Sequence, residues 1–449
     1  MVEPRTPGKV HRRRSRFQSD LHPSAAAPMT LCPFEDTAVW HLAPLALTRA
    51  AGDLRVGARL LLDTQRAAFP EAGRLVLHTR PPAAGVTAQE HPEAEVNAPL
   101  AGPTLFVNQR WRVTPGPLLD AVRAAAQPGR SPLAFVCGEA FLAAWHPDPP
   151  SDLLAREALD LEAFGGIPVE EAEGAVLVGR LWHLVEDLPA RIAEDLNALG
   201  ALGQHDGADV HAGALLVHPD RIHLAPGATV RPGAVLNAED GPIRLEAGAV
   251  VEENAVVRGP CWLGPKSAVK MAGRVDGSAV GPQSKVGGEV HESVVHSFSN
   301  KAHDGYLGNS YLGRWCNLGA DTNTSNLKND YGEVSLFDAV EQAFVATGRQ
   351  FLGLVMGDHS KCSINTMFNT GTVVGVFCNL FGSGFPPRHV PSFAWGGAEG
   401  LEPYRLDKAL RVAEAVLARR SLPLTEADRA LLAAVFERTA AERERLAAG

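Results

Sequence analysis

The stretch Asn300-Lys301-Ala302-His303-Asp304-Gly305-Tyr306-Leu307-Gly308, continued by Asn317-Leu318-Gly319-Ala320-Asp321-Thr322, gathers groups that can do chemistry. It sets one imidazole, one phenol and several amides among residues that are otherwise small or aliphatic. A histidine titrates close to neutrality, so His303 can take a proton from a nucleophile and hand it to a leaving group. The Asn- and Thr-rich stretch beyond it suits ligand hydroxyls. A second chemistry uses the same region. His291, His296 and His303 follow one another closely, and three imidazoles with a water would make a hydrolytic zinc site. Against it, no histidine lies between His223 and His291 to supply a ligand from a preceding turn.

These residues need an element that holds them, and the surrounding periodicity supplies it. Leu245, Val251, Val257, Leu263, Val269 and Val275 recur every six residues. Leu224, Val230 and Leu236 keep the spacing upstream, before residues 237–244 break the phase. Val280 and Val286, then Leu307, Leu312 and Leu318, and finally Met356, Cys362, Phe368, Val374 and Leu380 carry it on. A helix repeats at 3.6 and a strand at 2, so neither alone explains a period of six. A parallel β-helix of hexapeptides does: each repeat makes one flat side and points its aliphatic residue into a narrow core. Gly and Asn supply the corners, where the backbone needs permissive angles. A Gly/Ala-rich disordered segment would have no reason to keep its aliphatics in phase.

The chain has 449 residues, which predicts about three compact units. Hydrophobic residues at 45% allow sizeable cores, and aromatics at only 6% suit a small-residue coil. A net charge of −9 argues against a nucleic-acid partner. Cys32, Cys137, Cys261, Cys316, Cys362 and Cys378 lack CxxC spacing, so neither a zinc knot nor a disulfide framework is indicated. No apolar run approaches membrane-spanning length, and a reducing cytoplasm is the expected location without membrane insertion.

Four segments are expected. Residues 1–28, with Arg12-Arg13-Arg14-Ser15-Arg16, read as a basic disordered tail, or as an over-long frame that should start at Met29. Residues 29–204 alternate short apolar runs with helical stretches and predict an α/β domain. Its strands are expected at 74–78, 104–108, 133–137 and 175–178, and its helices at 118–126 and 153–164. Residues 205–396 form the β-helix, with 334–349 as an inserted loop or short helix. Residues 397–449 predict two amphipathic helices, 404–418 and 426–446, the second capped by Thr425. The coil buries its own core and is expected to fold without the front domain.

This order, α/β domain, hexapeptide β-helix, helical tail, resembles the bifunctional enzymes that make UDP-N-acetylglucosamine. It is most similar to a divergent branch with a shortened nucleotidyltransferase domain. The resemblance is carried by Gly288-Glu289-Val290 onward to Gly382, including Ser325-Asn326-Leu327-Lys328-Asn329, Met356-Gly357-Asp358-His359-Ser360-Lys361 and Asn365-Thr366-Met367-Phe368-Asn369-Thr370-Gly371. It implies a left-handed coil that moves an acetyl group from acetyl-CoA to glucosamine-1-phosphate, and a front domain that couples the product to UTP with Mg²⁺. It places the catalytic base on His303, the sugar-binding tyrosine on Tyr306, sugar contacts on Asn317 and Asn326, and Ala320 near the acyl group. Leu327 stands where the larger family has tyrosine, and the phosphate-binding cations have only Lys270 and Arg274 near their place.

In the front domain the departures are larger. The resemblance covers His41 to Arg49 and Val56 to Leu60, but the Gly-rich phosphate loop is replaced by Phe34-Glu35-Asp36-Thr37-Ala38-Val39-Trp40. Asn108-Gln109-Arg110 stands where the family's metal-binding strand end reads N-G-D, and a cation there cannot bind Mg²⁺. Asp36, Arg49, Asp53 and Arg55 are the remaining candidates for nucleotide binding. The domain is therefore either a nucleotidyltransferase using other groups or a non-catalytic module beside an acyltransferase. The zinc reading would resemble β-helix carbonic anhydrases instead. Hexapeptide acyltransferases are typically trimers, which predicts a homotrimer here, because closed threefold contacts bury the flat faces of a narrow coil.

Overall fold

The computed structural model describes Met1 and residues 28–448. The basic segment around Arg12 to Arg16 lies outside the described residues. The front domain is a seven-stranded sheet, in the order Glu95–Val96, Arg74–Leu77, Thr30–Phe34, Thr104–Asn108, Ala140–His146, Leu133–Cys137 and Val169–Glu171. Thr30–Phe34 pairs in parallel with Arg74–Leu77 on one side and Thr104–Asn108 on the other. That makes it the strand where chain order reverses, and ligands of open α/β sheets bind beyond the carboxyl end of such a strand. The helices Leu61–Ala68, Pro81–Glu90, Pro117–Ala125 and Leu188–Leu199 complete the domain.

Three expected elements take other forms. The stretch 153–164 is not one helix but two short 3-10 turns, Leu153–Ala155 and Leu161–Phe164. Asp160 caps the second by accepting the Ala163 N–H at 3.1 Å, so its side chain restarts the chain instead of continuing a helix. Residues 175–178 form no strand and contribute only a bridge from Leu177 to Trp111. The insertion 334–349 is an antiparallel hairpin, Val334–Asp338 with Ala343–Arg349, whose Val334 and Leu336 are buried.

The β-helix is as the period requires. Parallel strands stack into three faces, and on the first the register runs Val230, Val251, Val269, Val286, Lys301. Val251 and Val269 are three hexads apart, one full coil. Every aliphatic of the repeat, from Leu224 to Leu380, lies in one continuous buried core. Some coils are shorter, as where Val275 pairs with Val290, which is why the spacing of six lapses there.

The third face does not meet solvent along its length. Trp262, Ala279, Val294, Tyr311, Val355 and Val373 project from it into a shared cluster with Val39, Leu42, Leu45, Leu54, Leu188 and Ile192 of the front domain. At the C-terminus the helices Leu406–Ala418, Glu426–Arg438 and Ala440–Ala448 pack around Phe377 and Phe393. Thr425 caps the second in a reciprocal box with Asp428, and the expected long final helix is interrupted at Thr439.

Candidate functional site

His303 stands at the corner where the first face, ending in the strand Asn300–Lys301, turns into the second, beginning with Tyr306–Gly308. It is exposed. The corner is fixed by its neighbours: the Asp321 N–H donates to the Asp304 carbonyl at 3.1 Å and the Glu289 N–H to that of Gly305 at 3.0 Å. Gly305 has φ +104°, and a Cβ there would lie 2.1 Å from the Thr322 carbonyl oxygen, so only glycine makes the turn. The offset that pairs Asn300 with Asn317 sets Ala320 one coil beyond His303. The same column carries Met271 and Ile364, each 64% exposed.

Tyr306 faces outward from the second face and is half-buried. Its N–H donates to Asn323 Oδ1 at 2.9 Å, and its hydroxyl accepts from Asn326 Nδ2 at 3.1 Å. Asn326 Nδ2 also donates to Asn309 Oδ1 at 2.7 Å, and Asn309 Nδ2 to Glu292 at 2.8 Å. Burial, with Glu289 nearby, raises the Tyr306 phenol above its ordinary value and keeps it protonated. Arg274, Glu289 and Tyr306 occupy one column on successive coils, at a strand spacing of about 4.8 Å. Arg274 is paired with Glu289 at 2.6 Å, and Lys270 is paired with Glu252. Asn317 is exposed on the first face, between Asn300 and Lys361.

His303, Tyr306, Asn326 and Ala320 are thus brought around one edge, with Asn317 on the other side of that corner. The three histidines of the zinc reading are not brought together. His296 is buried on the third face, with Nε2 2.7 Å from the Asp53 carbonyl and Nδ1 3.0 Å from Ser297 Oγ. Burial and the guanidinium groups of Arg49, Arg314 and Arg55 push its pKa well down. His291 lies on the second face beside Asp276. Among the described residues the one cluster with metal-type spacing is Asp53, Glu90 and His91, and there Glu90 is tied to Arg314.

The nucleotide-binding candidates divide. Asp36 lies at the carboxyl end of Thr30–Phe34, in a crevice of about 350 Å³ that also includes Glu35, Trp40, Arg80, Glu157 and Asp160. Its carboxylate accepts from Arg110 Nε and from Asn108 Nδ2, both at 2.8 Å. Glu35 is wholly buried and accepts from the Ala51 N–H and Thr79 Oγ1 at 2.8 Å, the Arg80 N–H at 2.9 Å and the Arg80 guanidinium at 2.5 Å. A side-chain carboxylate therefore fills donors that a phosphate would need. These residues do not fit Mg²⁺, since both carboxylates are already neutralised by guanidinium groups.

Arg49 and Arg55 turn away to the coil instead, and the Asp53 carboxylate pairs within the front domain. Arg49 donates to Asp358, Asp53 is paired with His91 at 2.7 Å, and the Arg55 guanidinium lies 4.3 Å over the Trp262 ring. The Arg55 N–H donates to the Tyr311 hydroxyl at 3.0 Å. Glu35 and Arg80 were not among the sequence candidates. Their only local signal is that each directly follows a strand of the sheet or its short extension.

Residues 31–201 match the family model described as sugar nucleotidyl transferase. A bifunctional sugar-1-phosphate nucleotidylyltransferase/acetyltransferase from Sulfurisphaera tokodaii is 28% identical over 159 residues, covering 32% of this chain and 38% of the relative. The bifunctional protein GlmU of Methanocaldococcus jannaschii is 33% identical over 104 residues, 23% of this chain and 25% of the relative. That of Idiomarina loihiensis is 24% identical over 238 residues, 50% of this chain and 48% of the relative. The chain thus spans less than half the length of these curated relatives, the first of them a transferase by name. Among solved structures, the UDP-N-acetylglucosamine acyltransferase of Campylobacter jejuni is 12% identical, covering 50% of this chain and 94% of its own, at a TM-score of 0.22.

Proposed function

We propose that the coil transfers the acetyl group of acetyl-CoA to the amino group of glucosamine-1-phosphate, with His303 as general base. The observation that carries this reading is the polar edge itself: an exposed imidazole beside the linked hydroxyl and amides of Tyr306, Asn326 and Asn309. An amino sugar is mostly an ammonium ion at neutral pH and cannot attack a thioester until it loses a proton. Once that first proton has gone to solvent, His303 takes a second from the attacking nitrogen as it forms its bond to the thioester carbon. The carbon–sulfur bond then breaks, and the imidazolium returns the proton to the departing thiolate. Negative charge on the thioester oxygen would be met by a main-chain N–H of the coil corner. Tyr306, Asn317 and Asn326 would hold the sugar, Ala320 would border the acetyl group, and Arg274 and Lys270 would face the phosphate.

The working unit in this reading is a homotrimer whose neighbouring coils close over the column of Met271, His303, Ala320 and Ile364, with segments divided as 29–204, 205–396 and 397–449. For the front domain the family pattern implies uridylyl transfer from UTP. The filled crevice, Glu35 with Arg80 and Asp36 with Arg110, favours a second reading, a non-catalytic module that braces an acyltransferase.

Purified protein incubated with acetyl-CoA, glucosamine-1-phosphate, UTP and Mg²⁺, with the two products resolved, tests both halves. N-acetylglucosamine-1-phosphate without UDP-N-acetylglucosamine is the result expected if the crevice is filled as described. His303→Ala should lower kcat roughly 10²–10⁴-fold, the usual worth of positioned proton transfer. Full acetyl transfer by that variant would sink the assignment.

A further inference from the structure

The inward ladder on the first face reads Val230, Val251, Val269, Val286, and then a lysine. Lys301 sits where every preceding coil has an aliphatic side chain, and it is 2% exposed. A buried ammonium is costly unless its donors are met. All three find acceptors: the carbonyls of Gly287 at 3.0 Å, His303 at 2.6 Å and Asp304 at 2.8 Å. Two of the three belong to the corner that presents the imidazole. An aliphatic residue would fill the core at no electrostatic cost, but it would leave those carbonyls without this partner.

We propose that Lys301 is a positioning residue for His303: its ammonium, set inside the coil, holds the main chain at His303 and Asp304 and so fixes where the imidazole points. The inference rests on the acetyl-transfer reading given above. The neighbouring geometry agrees with it, because the Asp304 carbonyl also accepts the Asp321 N–H of the next coil, so one oxygen joins the lysine, the corner and the following turn. The titratable groups facing the ammonium are Asp304 and Asp321 at the corner and the Cys362 thiol farther along the core. Burial lowers the lysine to about 8 despite those two carboxylates, so the tether is charged at neutral pH and loses its proton in mildly alkaline solution.

The test compares the full-length protein with Lys301→Met, which keeps the length and removes the donors, and Lys301→Gln, which keeps fewer of them. Folded Lys301→Met should lose roughly 10–100-fold in kcat, the effect of a small misplacement of a reacting group, with KM for acetyl-CoA nearly unchanged. Lys301→Gln should lose less, and it carries the comparison if the methionine variant does not fold. In wild type, kcat should decline above about pH 8, and Lys301→Met should lack that limb. Hydrogen exchange at the Asp321 amide should quicken in both variants. Unchanged kcat in either folded variant, or a lower melting temperature with full activity per folded molecule, overturns the proposal. If wild type itself transfers no acetyl group, the acetyl-transfer reading fails separately. Exchange at Asp321 still decides the tether, since an unchanged rate overturns it.

Discussion

Asp358→Ala should loosen the joint between the front domain and the coil. Asp358 projects from the coil into that joint, where Oδ2 accepts from Thr48 Oγ1 at 2.8 Å and from the Arg49 guanidinium, and Oδ1 accepts the Arg314 N–H at 2.8 Å. The Arg49 side chain is fully shielded, and its Nε and Nη1 have no partner among the described residues. Removing the carboxylate leaves a buried guanidinium uncompensated, a loss of about 3–5 kcal/mol. Unfolding entropy of about 2.1 cal/mol/K per residue turns about 4 kcal/mol into a melting shift of about 4 °C if all 449 residues melt together, or about 11 °C if a front domain of some 170 residues melts alone. Calorimetry therefore reports both the energy and the size of the cooperative unit. The double variant Arg49→Met/Asp358→Leu should recover most of the loss, because an apolar pair of similar volume removes the charge along with its partner. A single variant within about 1 kcal/mol of wild type, or a double variant no better than Asp358→Ala, would refute the reasoning.

Stability should fall with acid earlier than carboxylates alone require. Burial holds His359 down to about 3 and His389 to about 4, and lowers His296 well below its ordinary value. The unfolded chain takes up those protons below about pH 6.5 while the folded chain does not, so stability is lost as pH drops from there. A melting temperature flat between about pH 7 and 5 would contradict this. Asp358 adds a second decline at lower pH: burial alone would raise its carboxyl, but Arg49, His359 and the Arg314 amide hold it below the ordinary value. Gly305→Ala should cost about 1–3 kcal/mol and most of the acetyl transfer, read by urea midpoint and turnover, because its Cβ would strike the Thr322 carbonyl. Deleting residues 1–202 should leave a coil that self-associates more than the full-length chain does, since Trp262, Tyr311, Val294 and Val355 lose their cover. Sedimentation showing a single well-behaved species would count against that.

The covered third face shows what periodicity conveys and what it omits. A period of six assigns each aliphatic residue an inward place, and Leu224 to Leu380 all take it. Outward residues have no such constraint, so Trp262 and Tyr311 carry no local sign that another domain covers them. The sequence expectation of a coil that stands alone follows from the core, and the third face adds that the front domain covers its outer residues. Lys301 is hidden for a related reason: the coil from Val286 to Lys301 is short of eighteen residues, so counting by six from Val286 misses that inward place. The hairpin 334–349 and the paired 3-10 turns were illegible because short alternations and single caps compete with helical patterns of equal strength.

Charged residues of the front domain raise the same ambiguity with a functional consequence. Arg49, Asp53 and Arg55 follow the stretch that resembles the end of a phosphate loop, and in sequence they read as ligands for a nucleotide. Arg49 meets Asp358, 309 positions away, and the Arg55 guanidinium lies over the ring of Trp262 on the coil. A charge without a period can serve a ligand or a distant partner, and only the fold reveals which. Here one short segment grips the coil with two of the side chains, Arg49 and Arg55, that nucleotide binding would need. Arg49 cannot neutralise Asp358 and a triphosphate at once, so nucleotide chemistry at those side chains would require the joint to open. The crevice at Asp36 and Glu35 would then be the remaining place for a nucleotide, and there Arg110 and Arg80 already hold the carboxylates. Docking and nucleotidyl transfer thus compete for the same groups, and in the arrangement seen docking has them.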